Sequence, residues 1–239
     1  MAQIEQSAVR NRLLAALPPA DFRLLAPALT PVDLPLRQIL MEADEPISAA
    51  YFIETGMASY VGYLVGGEIQ EIGVIGAEGM VGLPLVFGAK HAIHGALIQM
   101  QGTALRIDAT SLKRAFRESE AIQDLLSRSM LALHAQVAQT AVCNVHHVLE
   151  ERLARWLLIG HDRADGDTFP MTHEFMSIML GVRRAGVTIT AGALKQAGLI
   201  QYTHGQVTVL DRQGLEGAAC ECYGIVQHHF ERLIGVNRG

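Results

Sequence analysis

The sharpest chemistry in the chain lies near its C-terminal end, where Arg183, Arg184, Thr188 and Lys195 fall within one short stretch. From Arg183 to His204 there are two arginines, one lysine and no acid. A guanidinium can donate two hydrogen bonds to the acceptors on guanine, and a threonine can meet a base edge or a thymine methyl. Thr172, Lys195, His204 and Gln206 suit phosphate oxygens, which fix position without reading sequence. A solvated helix face would carry similar charges, so the set gains meaning from the elements that place it.

Those elements are legible. Thr172 is a good N-cap for a helix whose apolar face is Phe175, Met176, Met179 and Leu180. Gly181 then supplies a tight turn. In the next helix Val187, Ala191 and Leu194 point one way, while Arg184, Thr188 and Lys195 tend the other way and Arg183 sits in the first turn. Gly198 ends it, and Leu199–Thr203, the turn His204-Gly205 and Gln206–Leu210 make a two-stranded ribbon. Helix, glycine turn, helix and ribbon is the winged helix-turn-helix arrangement, which enters a major groove by the N-terminal end of its second helix. Gly186 and Gly192 inside that helix each cost roughly 1 kcal/mol relative to alanine. Close approach to DNA or tight helix packing would account for them.

The rest of the sequence bounds the setting. The chain has 239 residues, half of them hydrophobic and 18% charged, enough for one large domain or two ordinary ones. No apolar run approaches the ~18 residues of a membrane-spanning helix. Met1 to Leu17 carries Glu5, Arg10 and Arg12 and lacks the apolar core of a secretory signal. Cys143, Cys220 and Cys222 are too few and odd in number for a disulfide framework. A soluble, cytoplasmic protein without a membrane partner is expected. Net charge is −5, divided as −3 over residues 1–118, −3 over 119–170 and +1 over 171–239, so the basic face is local.

Upstream, residues 1–30 read as helical, with Val9, Leu13, Leu14 and Leu17 on one face and Asp21 placed to cap a second turn. From Pro31 short strand-like runs follow: Arg37–Met41, Ala50–Glu54, Met57–Val65, Glu68–Ile75 and Leu97–Ile107. Gly66-Gly67 signals a two-residue hairpin turn. The spacing suggests an antiparallel sandwich or roll. Beyond Thr110, the residues Ile122, Leu126, Met130, Leu133, Val137 and Ala141 recur in steps of 4, 4, 3, 4 and 4. This seam either packs on its own domain or pairs two copies in parallel; its narrowness and the helix length favour a homodimer. A second helical stretch spans Leu149–His161, which makes Cys143–Val148 a hinge.

In this order the pieces resemble the Crp/Fnr transcription regulators. The resemblance covers about residues 10–212. It rests on Tyr51–Tyr60 and Gly79–Gly88 in the roll and on Arg152-Leu153-Ala154 with Leu157-Leu158 at the second domain's start. The helix-turn-helix adds Thr172, Gly181, Arg184, Val187, Leu194, Gly198-Leu199-Ile200 and the wing turn His204-Gly205. The resemblance implies an α+β fold: an N-terminal antiparallel β-roll of the cyclic-nucleotide-binding type, a long dimerisation helix and a C-terminal winged helix-turn-helix. The boundaries expected are 1–118 for the roll as sensor, 119–147 for the dimerisation helix and hinge, and 148–239 for the DNA-binding domain with a C-terminal helix. The family's reading set becomes Arg184, Ala185 and Ile189, of which the last two suit apolar contact with thymine methyls.

The departures bear on the effector. Nucleotide-binding members place a glutamate on the ribose and an Arg-Ser or Arg-Thr pair on the cyclic phosphate. Here Leu83, followed by Pro84, stands in the first place and Ile93-His94 in the second. Without a guanidinium the phosphate lacks its strongest partner. Cyclic AMP is therefore not expected. Nor is an iron–sulfur cluster, since no cysteine precedes Cys143. No cofactor or metal is expected, and the effector is unassigned. His91 and His94 read as surface residues rather than metal or haem ligands, and they fall short of a cupin metalloenzyme's ligand set. Cys220 and Cys222, with His228-His229 downstream, match metal spacing only loosely, because on a continuous helix residues two apart face different ways. Cys143 reads as a buried inert thiol with redox sensing as the sharper option, and His146-His147 could form a proton-sensitive hinge. Glu150, Glu151 and Arg155 read as a solvated face. The function expected is that of a non-enzymatic regulator binding double-stranded DNA as a homodimer, with RNA polymerase as a further partner. A small-molecule sensor whose winged helix docks proteins is the alternative.

Overall fold

The computed structural model describes residues 4–235; residues 1–3 and 236–239, the extremities of the first and last expected segments, lie outside the described residues. Asn11 opens the fold by capping α1 (Arg12–Ala16), its side chain accepting from the Leu13 and Leu14 N–H groups. Its amide donates 2.8 Å bonds to the Ile53 and Gly79 carbonyls, so a fully buried asparagine leaves nothing unpaired. In α2 (Pro19–Leu25) Pro19 stands where no N–H is needed, and Pro18 takes the cap position expected of Asp21. Asp21 instead accepts from the Ser119 hydroxyl at 2.6 Å.

The roll consists of β1 (Thr30–Leu34), β2 (Ile39–Met41), β3 (Ala49–Tyr63), β4 (Ile69–Ile75), β5 (Met80–Val81) and β6 (Gly95–Asp108). Every pairing is antiparallel, in the order β1-β6-β3-β4 with β2 on β6 and β5 on β3. Two expected strands, Ala50–Glu54 and Met57–Val65, are one strand here. Gly56, at φ +78, absorbs register shifts against β6 rather than reversing the chain. A Cβ at Gly102 opposite would collide with the Thr55 carbonyl. The β3–β4 connection is longer than a two-residue turn: Leu64 N–H bonds the Glu68 carbonyl at 2.9 Å, with Gly67 left-handed at φ +87. Strand β1 carries Pro31, which hid it in the sequence and which an edge strand tolerates.

Helix α3 (Ala109–Glu118), capped by Asp108, leads into α4 (Glu120–His146), capped by Ser119. The expected dimer seam faces inward. Ile122 and Leu126 are buried in the roll's core, and Met130 and Leu133 pack against it. Val137 lies beside Gly73 of β4, while Ala141 is exposed. The outward stripe is another one: Leu131, Val142 and Val145 are 56%, 49% and 79% exposed, with exposed Ala138 and half-buried Ala135 between them. The steps of that stripe are 4, 3, 4 and 3.

The C-terminal half comprises α5 (Leu149–His161), β7 (Thr168–Pro170), α6 (His173–Leu180), α7 (Arg184–Gln196), β8 (Ile200–Thr203), β9 (Gln206–Val209), α8 (Arg212–Ala218) and α9 (Cys222–Ile234). Leu153, Leu157, Met176, Val187, Leu194 and Val207 centre its core, which the roll's Met57, Val74 and Met100 join. Helix α9 returns to the roll, where Val226, Phe230 and Ile234 enter the first core and the Leu233 carbonyl accepts from Arg128 at 2.9 Å. Between the halves lies a polar seam. Trp156 Nε1 and Ser59 Oγ each donate to the buried Glu71 carboxylate at 2.7 Å, and Arg163 pairs with Glu78. Burial pushes the Glu71 carboxyl up to about 7 against the pull of these donors. No described helix is long and apolar enough to cross a membrane.

Candidate nucleic-acid interface

The recognition unit is assembled from its termini. Thr172 accepts from the Phe175 N–H at 3.1 Å and starts α6. Gly181, at φ +64, ends it, and Val182 N–H returns to the Ser177 carbonyl at 3.0 Å. Arg152, from α5, donates to the Leu180 carbonyl at 2.6 Å, placing a cation at the negative end of α6. Arg183 is the N-cap residue of α7, whose first turn holds no acid. The α7 N-terminus therefore presents unsatisfied N–H groups and two guanidiniums together.

Val187, Ala191 and Leu194 bury one face of α7. On the other, Arg183, Arg184, Ala185, Thr188 and Lys195 are exposed, and Ile189 is 75% exposed. Lys195 stands in the last turn, about 16 Å along the helix axis from Arg184. It cannot serve the same base step, and its place suits a flanking phosphate. His204 turns the wing at φ +50, with Gln206 exposed beside it on β9. Thr172 spends its hydroxyl on the α6 cap but remains exposed.

Thr188 is less free than its position suggested. Its hydroxyl donates to the Arg184 carbonyl at 3.1 Å and lies 3.1 Å from His173 Nδ1. His173 in turn stacks on Tyr202 with ring centroids 4.1 Å apart. Desolvation, then the Arg184 charge, holds the His173 imidazole below its ordinary value. The ring links α6, α7 and the wing. Sequence reasoning missed His173, because its partner lies fifteen residues away. The two glycines in α7 also separate. A Cβ at Gly186 would press on Leu149 at 3.2 Å, so packing accounts for it, whereas Gly192 meets nothing within 4 Å.

In the roll, Leu83 is buried in a short 3-10 turn, Leu83–Phe87. Ile93 is 67% exposed and His94 is exposed. The cavity lined by Leu83, Leu133 and Phe230 offers about 10 Å³, room for one water at most. Among the described residues, the His, Cys, Asp or Glu side chains close enough to share an ion are Cys143, Cys220 and Cys222; His91, His94, His228 and His229 do not join them.

Comparison with known proteins accords with this geometry. Residues 31–119 match the cyclic nucleotide-binding domain model and residues 151–218 the Crp-like helix-turn-helix domain model, together well over half of the chain. No curated protein matches it in sequence. Among solved structures, FixK2 from Bradyrhizobium japonicum superposes with a TM-score of 0.70 at 17% identity, over 80% of this chain and 98% of its own. A transcriptional regulator of the Crp/Fnr family from Eubacterium rectale gives 0.68 at 17% identity, covering 86% and 96%. A CRP-family transcriptional regulator from Thermus thermophilus, TTHB099, gives 0.67 at 19%, covering 80% and 99%. The second and third of these are named as transcriptional regulators. Domain order, family models and fold agree, and the chain belongs to the Crp/Fnr family of transcription regulators, with a Crp-like helix-turn-helix for binding DNA.

Proposed function

We propose that two copies of this chain bind a near-palindromic DNA site in the cytoplasm, each inserting the N-terminal end of α7 into one of two major grooves about 34 Å apart. The observation that carries this reading is the α7 face itself: Arg183, Arg184, Ala185 and Ile189 project to solvent from a helix start that holds no acid. Arg184 reads a guanine, Ala185 and Ile189 meet thymine methyls, and Thr172, Lys195, His204 and Gln206 hold phosphates. Thr188 acts through its methyl, since its hydroxyl is engaged.

The second copy packs along Leu131, Ala135, Ala138, Val142 and Val145, whose 3.5-residue average step is that of a left-handed coiled coil. Cyclic AMP is not the effector in this reading: by the family resemblance, buried Leu83 and exposed Ile93-His94 take the places of the ribose glutamate and of the arginine that would grip the phosphate. RNA polymerase is the further partner of the DNA-bound dimer. Selection of bound sites from a random duplex pool, at two salt concentrations, tests the proposal. A two-fold symmetric consensus is expected, with affinity falling steeply as salt rises. Failure to enrich any site, with or without cell metabolites, would overturn it in favour of a protein-docking role for the winged helix.

A further inference from the structure

Three cysteines far apart in the sequence meet at one point. Cys143 stands in the last turn of α4, and Cys220 and Cys222 flank Glu221 where α8 gives way to α9. On an unbroken helix residues two apart would aim their sulfurs in different directions. The chain leaves α8 at Ala218 and enters α9 at Cys222, and that break lets both sulfurs turn the same way. All three Sγ atoms lie within 4.8 Å of one another, and Cys143 Sγ is 3.5 Å from Cys220 Sγ. The three side chains are buried as a small group of their own, apart from both apolar cores.

The surroundings favour a thiolate at Cys143 and hold the Cys220 and Cys222 thiols above their ordinary value. The Cys143 thiol is lowered to about 5, chiefly because it accepts a hydrogen bond from Cys220, with the Arg155 charge adding and burial opposing. The shared proton rests on Cys220, which that bond and burial push well up. Cys222 accepts from the Gln139 amide at 3.0 Å. Arg155 is buried beside the group, with an Nε that has no partner among the described residues.

We propose that Cys143, Cys220 and Cys222 form a binding site for one thiophilic divalent cation of the zinc type. Sulfurs around a tetrahedral zinc ion stand about 3.8 Å apart, close to the separations found here. A disulfide would draw two of them to about 2 Å and strand the third. Three thiolates and a divalent ion carry one net negative charge, which the buried Arg155 balances. Binding releases the remaining thiol protons to solvent, so affinity rises with pH. Among the described residues no imidazole or carboxylate joins the sulfurs, which leaves a fourth position for water or a small ligand. The ion bridges residues 77 apart in sequence and pins the end of α4 to the start of α9.

The test uses the full-length protein, reduced, stripped of metal and titrated with Cd²⁺, whose thiolate charge-transfer absorption counts sulfur ligands. Competition between Zn²⁺ and a chromophoric chelator then gives affinity. One ion per chain is expected, together with a higher thermal midpoint, since the folded state alone presents the site. Cys143→Ser and Cys220→Ser should each weaken binding by more than about 100-fold, the upper end for losing an outer-shell partner. Folded wild-type protein showing no charge-transfer band would overturn the proposal by itself, whether or not the variants fold. A band that persists in a Cys143→Ser, Cys220→Ser, Cys222→Ser triple variant would overturn it too.

Discussion

Helix α4 carries two apolar stripes that differ in rhythm and in fate. The inward stripe, Ile122, Leu126, Met130, Leu133, Val137 and Ala141, advances 3.8 residues per step on average and is largely spent on the roll and its neighbours. The outward stripe, Leu131, Ala135, Ala138, Val142 and Val145, advances 3.5 and ends in solvent. A stripe that keeps a 3.5 step stays on one line of a supercoiled helix and can meet a second copy of itself. One that drifts suits a twisted sheet and a short crossing helix. Polar groups divide in the same way. Glu71, Ser59, Glu78 and Arg163 are paired within the junction, whereas the charged ends of Arg183, Arg184 and Lys195 make no hydrogen bond or ion pair among the described residues. Buried polar groups must be satisfied inside the monomer, and exposed ones can exchange water for a partner.

The largest effect should separate the two stripes. Leu126→Ala removes buried methyls from the roll's core and is expected to cost about 2–5 kcal/mol of stability, read from a denaturant midpoint. Val142→Glu with Val145→Glu places charges on exposed positions, so it should leave the stability of the isolated chain within about 1 kcal/mol. It should nevertheless convert a dimer to a monomer by sedimentation. If the paired glutamates left the dimer intact and Leu126→Ala dissolved it without unfolding the chain, the roles of the stripes would be reversed.

Much of the fold could be read from the sequence, because strand alternation, the Thr172 cap and the glycine after α6 act locally. The exposed face of α7 was legible for the same reason: helical spacing alone puts Val187, Ala191 and Leu194 on one stripe and Arg184, Thr188 and Lys195 on a second beside it. Three features were not. The choice between stripes depends on α9, which packs against α4 from roughly a hundred residues away. His173 was silent because its contacts with Thr188 and Tyr202 are tertiary. Glu71 lies within the strand run Glu68–Ile75, but its bonds to Ser59 and Trp156, 12 and 85 residues away, are tertiary.

Glu71 makes the junction sensitive to pH. Its carboxyl is raised from 4.5 to about 7 in the folded protein, burial being the main cause. Between those values the native state holds a proton that the unfolded chain has released, so stability falls as pH rises through that window. Below about 4.5 the contribution is fully present; above about 7 it has been lost. Glu71→Gln copies the protonated form. Relative to wild type it should be near neutral at pH 5 and stabilising by up to about 3 kcal/mol at pH 8. An equal difference at the two pH values, measured by urea denaturation, would remove Glu71 from the account.

The smallest effect belongs to the open face and requires the finest measurement. Arg184→Ala removes an exposed guanidinium that makes no hydrogen bond or ion pair within the described chain, so folding should be unchanged. On the selected operator the loss should be about 1–3 kcal/mol, the worth of one bidentate base contact. On random duplex only the charge effect should remain. Lys195→Ala, an axial rise of about 16 Å further along α7, should weaken operator and random DNA alike and reduce the salt slope by about 1. Under the proposed function, base reading and phosphate holding would occupy opposite ends of one short helix. If Arg184→Ala weakened both DNAs equally, Arg184 would be another phosphate contact, and sequence reading would fall to Ala185, Ile189 and the deformability of the site.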